Sequence, residues 1–566
     1  MRGRLIAWLV LTGLHLPAAA EAQTALAGRV VRDSYAPGPQ AARPALDLGS
    51  FSGETPPAGA DIVPLEVSGV RFEGDPCPVP AACQLLAAAV GEGGRTVADL
   101  FASVHAMETA FAEAGFVLTR ATIPPQNVVP GGPIAVGIVN GHIETIDVSA
   151  LPERIRAPVL GRLAPLLSLS VVRRADIERA LLNAGDFGGL ALRSTFAPGD
   201  EPGGTKLIVD GSFQPINGSI GIGNGASEAV GGWENTASIS LNSPFGFGEQ
   251  LYLSYQSDPQ MAFGQGRMRI LAAGALVPLG NDGLTVSPEL VWARIVPEPE
   301  AGVPDSRNDM ARASLRFTYP LVRLVERTVI AHAEVEAVNQ RVEATEFATT
   351  LSADAYLALR GDVEVQSLPS PDLTLFGSVT LSQGLGGIGS VFDGVADVPS
   401  THPGATPDFT KGNITAGATK TAGRVVVSAL LRAQTSFGQP LFNSEQFSLD
   451  GIDALSSLSP GVYAVDQGAT LRTEVGGSFP VGGAFSTIAT PYVFGAIGAG
   501  QTFDTTAAES ATTRAGGIGA GVRAELWQSE DQTGSLSLGF EIGHSWIDAG
   551  TKTETSKFGL TLGWNF

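Results

Sequence analysis

From about Gly218 to Phe566 the chain reads as strand and turn alone, and its strands carry apolar residues at every second position. Leu251, Leu253 and Tyr255 alternate with Tyr252, Ser254 and Gln256. Leu315, Phe317 and Tyr319 alternate with Ser314, Arg316 and Thr318. Val425, Val427, Ala429 and Leu431 form a third such series, and Leu536, Leu538, Phe540 and Ile542 a fourth. Successive side chains of a strand point to opposite faces, so each segment has one apolar face and one that is often polar or tiny. A wall between lipid and an aqueous lumen demands this pattern.

Composition supports a membrane barrel over its rivals. The 71 Gly and 37 Pro in 566 residues would alone suggest disorder, yet 44% of residues are hydrophobic and only 16% charged, the reverse of a disordered chain. Beyond the N-terminal leader no run of 18 apolar residues exists, which leaves strands as the spanning elements. A soluble β-sandwich also alternates, so the final strand decides. Phe558, Leu560, Leu562, Trp564 and Phe566 hold every second position, and the last residue is aromatic. That ending resembles the signal by which outer-membrane barrels are recognised for insertion, with Trp564 and Phe566 carrying it. About 350 residues are available, and sixteen strands of about 10 residues would use roughly 160, leaving ample loops.

The start of the chain reads as an export leader. Arg2 and Arg4 precede the short apolar run Leu5 to Leu14, and Ala20-Glu21-Ala22 offers a small-x-small cleavage site. A formal charge of −21 without basic clusters excludes electrostatic nucleic-acid binding. Cys77 and Cys83 bracket five residues, and in an oxidising compartment such a close pair is expected to form one loop-closing disulfide.

Residues 23–62 are rich in Pro, Gly and Ala and read as a linker, with a short helix expected at Thr24–Arg32. From Pro64 to about Phe213 the texture changes. A strand at Val67–Phe72, helices at Cys83–Val90 and Val97–Ala114, and strands at Phe116–Ile123 and Pro133–Val139 give the order strand, helix, helix, strand, strand. The order repeats with a strand at His142–Val148, helices at Ala157–Leu167 and Val171–Ala184, and strands at Leu190–Ala197 and Thr205–Phe213. Two copies of about 75 residues indicate an internal duplication.

At this point the residues resemble the outer-membrane transporters of two-partner secretion, the hemolysin and filamentous-hemagglutinin secretion/activation family. Ala114-Gly115-Phe116-Val117-Leu118-Thr119-Arg120-Ala121 with Ile123-Pro124-Pro125-Gln126, and Val139-Asn140-Gly141-His142-Ile143-Glu144, look like the first repeat and its junction. Arg162-Leu163-Ala164-Pro165-Leu166-Leu167, Ile177-Glu178-Arg179-Ala180-Leu181-Leu182 and Ala197-Pro198-Gly199 look like the second. Ser444-Glu445-Gln446-Phe447-Ser448-Leu449-Asp450-Gly451 resembles the run into the family's long sixth loop. The resemblance implies a mixed fold: two small α+β POTRA domains followed by a transmembrane antiparallel β-barrel of 16 strands. The implied boundaries are a signal peptide at 1–22, the linker at 23–62, POTRA 1 at 63–141, POTRA 2 at 142–213 and the barrel at 214–566. The POTRA domains would lie in the periplasm and the barrel in the bacterial outer membrane.

Two positions depart from the family pattern. Its loop carries Val-Arg-Gly-Tyr where this chain has Leu455-Ser456-Ser457-Leu458, and a facing strand carries an acid where this chain has Ala496. With both charges gone the loop is expected either to be mobile or to be held through other contacts, with Asp450, beside Gly451, or Asp466 as candidates.

Catalytic chemistry finds no support in the pattern. The histidines are scattered, Gly517-x-Gly519-x-Gly521 lacks the strand-to-helix context of a nucleotide loop, and His332, Glu334 and Glu336 read as a solvated lumen wall. No cofactor, no metal and no enzymatic activity are expected. The reading is a pore that passes an unfolded, secreted partner protein, a large adhesin or hemolysin-like chain, without nucleotide. Capture would occur by strand addition to an exposed POTRA edge, with Phe116, Leu118, Leu190 and Leu192 on the candidate strands. A monomer is expected, contacting outer-membrane lipid and the barrel-assembly machinery. The rival readings are an outer-membrane assembly or insertion factor and a passive channel.

Overall fold

The computed structural model describes residues 27–31, 34–37, 45–46, 54–91, 94–259, 266–299, 303–386, 398–481, 487–506, 509–529 and 534–566. The expected leader at 1–22 and parts of the linker lie outside the described residues. Of the linker, a short helix α1 (Ala27–Val30) and a short strand β1 (Ala45–Leu46) are described.

The first small domain contains β2 (Pro64–Leu65), β3 (Gly69–Gly74), α2 (Pro80–Gly91), β4 (Arg95–Thr96), α3 (Val97–Glu113), β5 (Arg120–Thr122) and β6 (Pro133–Val139). β6 lies between a parallel β3 and an antiparallel β5. Leu100, Val104, Met107 and Phe111, spaced three or four apart, form the buried face of α3. A capping box starts this helix. The Thr96 hydroxyl accepts the Asp99 N–H while the Asp99 carboxylate accepts the Thr96 N–H, which holds the Asp99 carboxyl below its usual range. Cys77 and Cys83 are joined by a disulfide at the start of α2.

The second domain repeats the order with β7 (His142–Asp147), α4 (Glu153–Leu163), α5 (Arg174–Gly185), β8 (Leu190–Pro198) and β9 (Gly204–Phe213). The strand expected over Phe116–Ile123 is a correction: only β5 forms. Gly115 adopts φ 92°, the Phe116 N–H closes back on the Phe111 carbonyl, and the Thr119 N–H closes on the Phe116 carbonyl. The resulting turn carries Leu118 into the second domain's core beside Ile143 and Val159. Gly141 permits this approach, since a Cβ there would stand 2.2 Å from that of Leu118.

The remaining chain closes on itself. Its strands are β10 (Ile216–Gly223), β11 (Glu234–Asn242), β12 (Gln250–Ser257), β13 (Met268–Pro278), β14 (Thr285–Ile295), β15 (Ser306–Arg323), β16 (Arg327–Ala344), β17 (Thr349–Ser370), β18 (Leu373–Gly384), β19 (Thr410–Ala422) and β20 (Val425–Thr435). A long connection, 436–466, contains the short pair β21 (Phe447–Ser448) and β22 (Ala464–Val465). The wall resumes with β23 (Gln467–Gly477), β24 (Phe479–Val481), β25 (Thr487–Gln501), β26 (Thr512–Gln528), β27 (Ser535–Asp548) and β28 (Lys552–Asn565). β23 and β24 are segments of one wall strand, so sixteen antiparallel strands form the closed barrel. Closure removes the free sheet edges that an apolar membrane could not satisfy.

The seam between β10 and β28 is sealed by the last residue. Phe566 and Gly218 exchange both backbone hydrogen bonds, at 2.9 and 3.0 Å. The alternating residues Leu253, Phe317, Val427, Ile542 and Trp564 face outward, as a lipid-contacting belt requires. Helix α5 docks the second domain on the barrel's near-side turns. Arg179 donates to the Tyr319 hydroxyl and the Leu321 carbonyl, Asn183 to the Asp282 carbonyl, and Glu178 accepts the Val325 N–H. Among the described residues no helix is long and apolar enough to cross a membrane.

Candidate functional site

The lumen face of the barrel carries paired charges. On β14, β15, β16 and β17, Arg312 meets Glu289 at 3.0 Å, Arg316 meets Glu334 at 2.6 Å, and Arg360 meets Glu336 at 2.6 Å. The trio His332, Glu334 and Glu336 is thus divided among different partners, and His332 Nδ1 shares a hydrogen bond with the Thr318 hydroxyl. This wall was expected to be solvated. It is instead a cross-braced ladder whose glutamates are buried.

Loop 436–466 folds into this lumen and is tied down along its length. At its start the Glu445 carboxylate receives Arg360 at 2.6 Å, Lys411 at 2.7 Å and the Tyr356 hydroxyl at 2.6 Å. Asp466 accepts backbone N–H groups from Leu441 and Phe503 and the Gln446 amide, which closes the loop's base. Asp450 accepts the N–H groups of Gly461, Val462 and Tyr463, so it folds the loop on itself while Gly451 turns the chain at φ 103°. At the tip, Ser456 hydrogen-bonds Glu541 of β27 and accepts from Arg472 of β23 at 2.9 Å. Ala496 is buried against Leu449, Leu455 and Leu458 of the loop, and its cross-strand neighbour on β23 is Arg472. The loop tip carries no charge of its own, and it is held through other contacts: Asp450 and Asp466 fold and close the loop, and a guanidinium and a carboxylate of the wall reach Ser456.

Helix α1 fills the lumen beside the loop. Ala27 is fully buried among Met268, Ile270, Ala293, Met310, Val338 and Tyr356, an apolar seat within the barrel. Gly28 is required there, because a Cβ would stand 2.5 Å from Gln340 Oε1 and 2.6 Å from Ser444 Cβ. Arg29 donates to Asn443 at 2.9 Å and Gln446 at 2.7 Å, joining plug to loop. The Tyr35 N–H meets Glu289 at 2.8 Å. What remains of the lumen here includes a cavity of about 580 Å³ beside Arg29 and another of about 700 Å³ beneath the loop tip.

The four candidate capture residues separate. Leu190 and Leu192 lie on β8, with their side chains in the second domain's core. The outer edge of β8 is taken by β1, which pairs in parallel, Ala45 with Arg193 and Leu46 with Ser194. Phe116 and Leu118 lie in the turn at the domain junction, where Arg173 stands 5.1 Å from the Phe116 ring centroid. Trp564 and Phe566 pack ring against ring at 5.0 Å beside the seam. Arg472, Glu541, Glu445, Arg360 and Gly28 escaped sequence reasoning. Charges at lumen-facing positions of alternating strands were the available signal, but partners far apart in sequence gave no way to pair them.

A family model described as "Haemolysin secretion/activation protein ShlB/FhaC/HecB" matches residues 203–524, more than half of the chain. The outer membrane transporter CdiB of Dickeya dadantii (strain 3937) is 22% identical over 178 residues, a match spanning 31% of each chain. The solved structure of CdiB from Escherichia coli superposes with a TM-score of 0.70 at 17% identity, covering 91% of this chain and 93% of that one. CdiB from Acinetobacter baumannii gives 0.61 at 14% identity, covering 93% and 94%.

Proposed function

From the premise that the chain belongs to the haemolysin secretion/activation protein ShlB/FhaC/HecB family, we propose that it is an outer-membrane transporter that moves one unfolded, exported partner protein to the cell surface. The two small domains are its periplasmic POTRA units and the barrel is its conduit. The observation that carries this reading is that parts of the chain itself occupy the lumen, a short helix on a linker and a folded-in loop, and that the same linker adds a strand to the β8 edge. An extended partner segment makes the same backbone hydrogen bonds on β8 that the linker makes, without strict sequence requirements. Displacing β1 then frees the segment that holds the plug. Transport on this reading uses no nucleotide and no enzymatic step, the protein acts as a monomer, and the barrel-assembly machinery inserts it. Two docking units, where insertion factors usually carry more, favour secretion over the assembly-factor reading.

The test co-expresses the chain with the long exported protein encoded beside it. Surface display of that protein is expected to require the chain, and Ser194→Pro, which removes a backbone donor from β8, is expected to abolish display while the barrel stays inserted. Undiminished display without the chain would overturn the proposal.

A further inference from the structure

The loop tip Leu455-Ser456-Ser457-Leu458 meets a wall of β23, β25, β26 and β27. The lumen side of β26 is a glycine floor. A Cβ at Gly519 would stand 2.5 Å from the Phe494 ring, and one at Gly521 would stand 2.5 Å from Tyr492. The two aromatic side chains of β25 therefore lean across β26. Tyr492 reaches β27 and donates its hydroxyl to Glu541 at 2.6 Å. Arg472 of β23 crosses Phe494 at 3.8 Å from the ring centroid and meets the same carboxylate at 2.6 Å. Both ions are largely buried, with side-chain exposures of 3% and 11%. Glu474 braces Arg472 from its own strand at 2.8 Å. Into this pair the loop places the Ser456 hydroxyl, bonded to both ions, and the Ala454 carbonyl, which accepts from Arg472 at 3.4 Å.

We infer that Arg472 and Glu541 are the positioning residues of the loop tip, forming a latch whose two charges both belong to the barrel wall. The family pattern splits its ion pair between loop and wall. Here the arginine stands opposite Ala496 on the adjacent strand, the acid sits two strands further on, and the loop tip contributes only neutral groups. The difference governs release. Withdrawing a loop that carries half of a buried pair strands the other half, which is costly. Withdrawing Ser456 exchanges its hydrogen bonds to the two ions for bonds to water, a smaller change than stranding a buried charge, and leaves Arg472 paired with Glu541. The latch opens without breaking its ion pair.

Because the inference assigns one guanidinium to one carboxylate, the arginine is transferable. Ser457, buried at the tip, is replaced by cysteine as a reporter in the purified full-length protein. Maleimide labelling is scored only in the folded, heat-modifiable band. Ser456→Arg crowds two guanidinium groups at Glu541, and Arg472→Ser leaves Glu541 without its cation. Each is expected to raise the labelling rate about three- to tenfold, and the transposed pair Arg472→Ser/Ser456→Arg to return it within about twofold of the parent. A transposed protein that labels as fast as the worse single variant overturns the inference. Should Arg472→Ser fail to fold, Glu541→Gln and Ser456→Ala take its place. Both are expected to raise labelling, the former by about threefold more than the latter, since it breaks the buried pair and not only the loop's bonds to it, and equal effects overturn the inference. No partner protein is used, so this outcome is independent of the secretion reading.

Discussion

Ala496 shows what a single position can and cannot disclose. Its side chain faces the lumen, and Arg472 is its cross-strand partner. The sequence showed Ala496 and Ser456 without charge, but not which charges meet at the loop tip, because Arg472 and Glu541 are 69 residues apart. Pairing across a barrel depends on strand order and register, which alternation alone does not fix. Ala496→Asp places a carboxylate beside an existing guanidinium, so it is expected to leave folded barrel near parent levels. In a Glu541→Gln background it should restore part of the lost stability, a coupling of roughly 0.5–3 kcal/mol. Thermal midpoints from heat-modifiability gels measure this, and additive effects would place the new acid out of reach of Arg472. Gly519→Val tests the glycine floor. Its Cβ collides with Phe494, so the folded fraction on the same gels is expected to drop sharply.

At the scale of elements, periodic segments were legible and tertiary ones were not. Helix α3 and the lipid faces of the strands appear where their spacing placed them, because burial on one face selects period 3.6 or 2. Segment 116–119 is a turn although Phe, Val, Leu and Thr all suit a strand, because Gly115 and the domain junction decide the backbone. Strand β13 obscures its own alternation: Ile270 and Ala272 line the plug's seat while Leu271 and Ala273 face outward, so both faces are apolar. A four-residue helix has no stability of its own, so only its lumen seat accounts for α1. Gly28→Leu cannot fit against Gln340 and Ser444 and is expected to expel the plug, seen as a large rise in single-channel conductance in planar bilayers. Unchanged conductance would mean that α1 does not close the pore. Glu445→Gln leaves Arg360 and Lys411 short of a shared buried anion. A cost of about 3–5 kcal/mol is expected in barrel stability, measured by urea titration of the gel shift.

The whole molecule joins three closures: plug in lumen, loop on wall, and linker strand on β8. The barrel class was legible in the alternating strands, and the duplicated small domain in its repeated element order. The closures were not, since each consists of long-range contacts made by segments without periodicity. The linker strand offers the strongest test of how they cooperate. β1 pairs Leu46 with Ser194 on the edge of β8, and neighbouring strands lie about 4.8 Å apart, within the Cα range of a disulfide. Leu46→Cys/Ser194→Cys should therefore cross-link in the oxidising periplasm and hold the linker on the edge. If the partner enters by replacing β1, the cross-linked protein should insert normally yet display at least about tenfold less partner on the surface, the loss expected when a required strand-addition site is blocked. Reductant should restore display relative to the parent treated identically, which controls for reduction of Cys77–Cys83. The same lock should keep the channel closed when partner is added to bilayers, because the chain between Ala27 and Leu46 stays held at both ends. Parent-level display by the cross-linked protein would show that the partner docks elsewhere. Blocked display with an opening channel would instead separate plug release from docking.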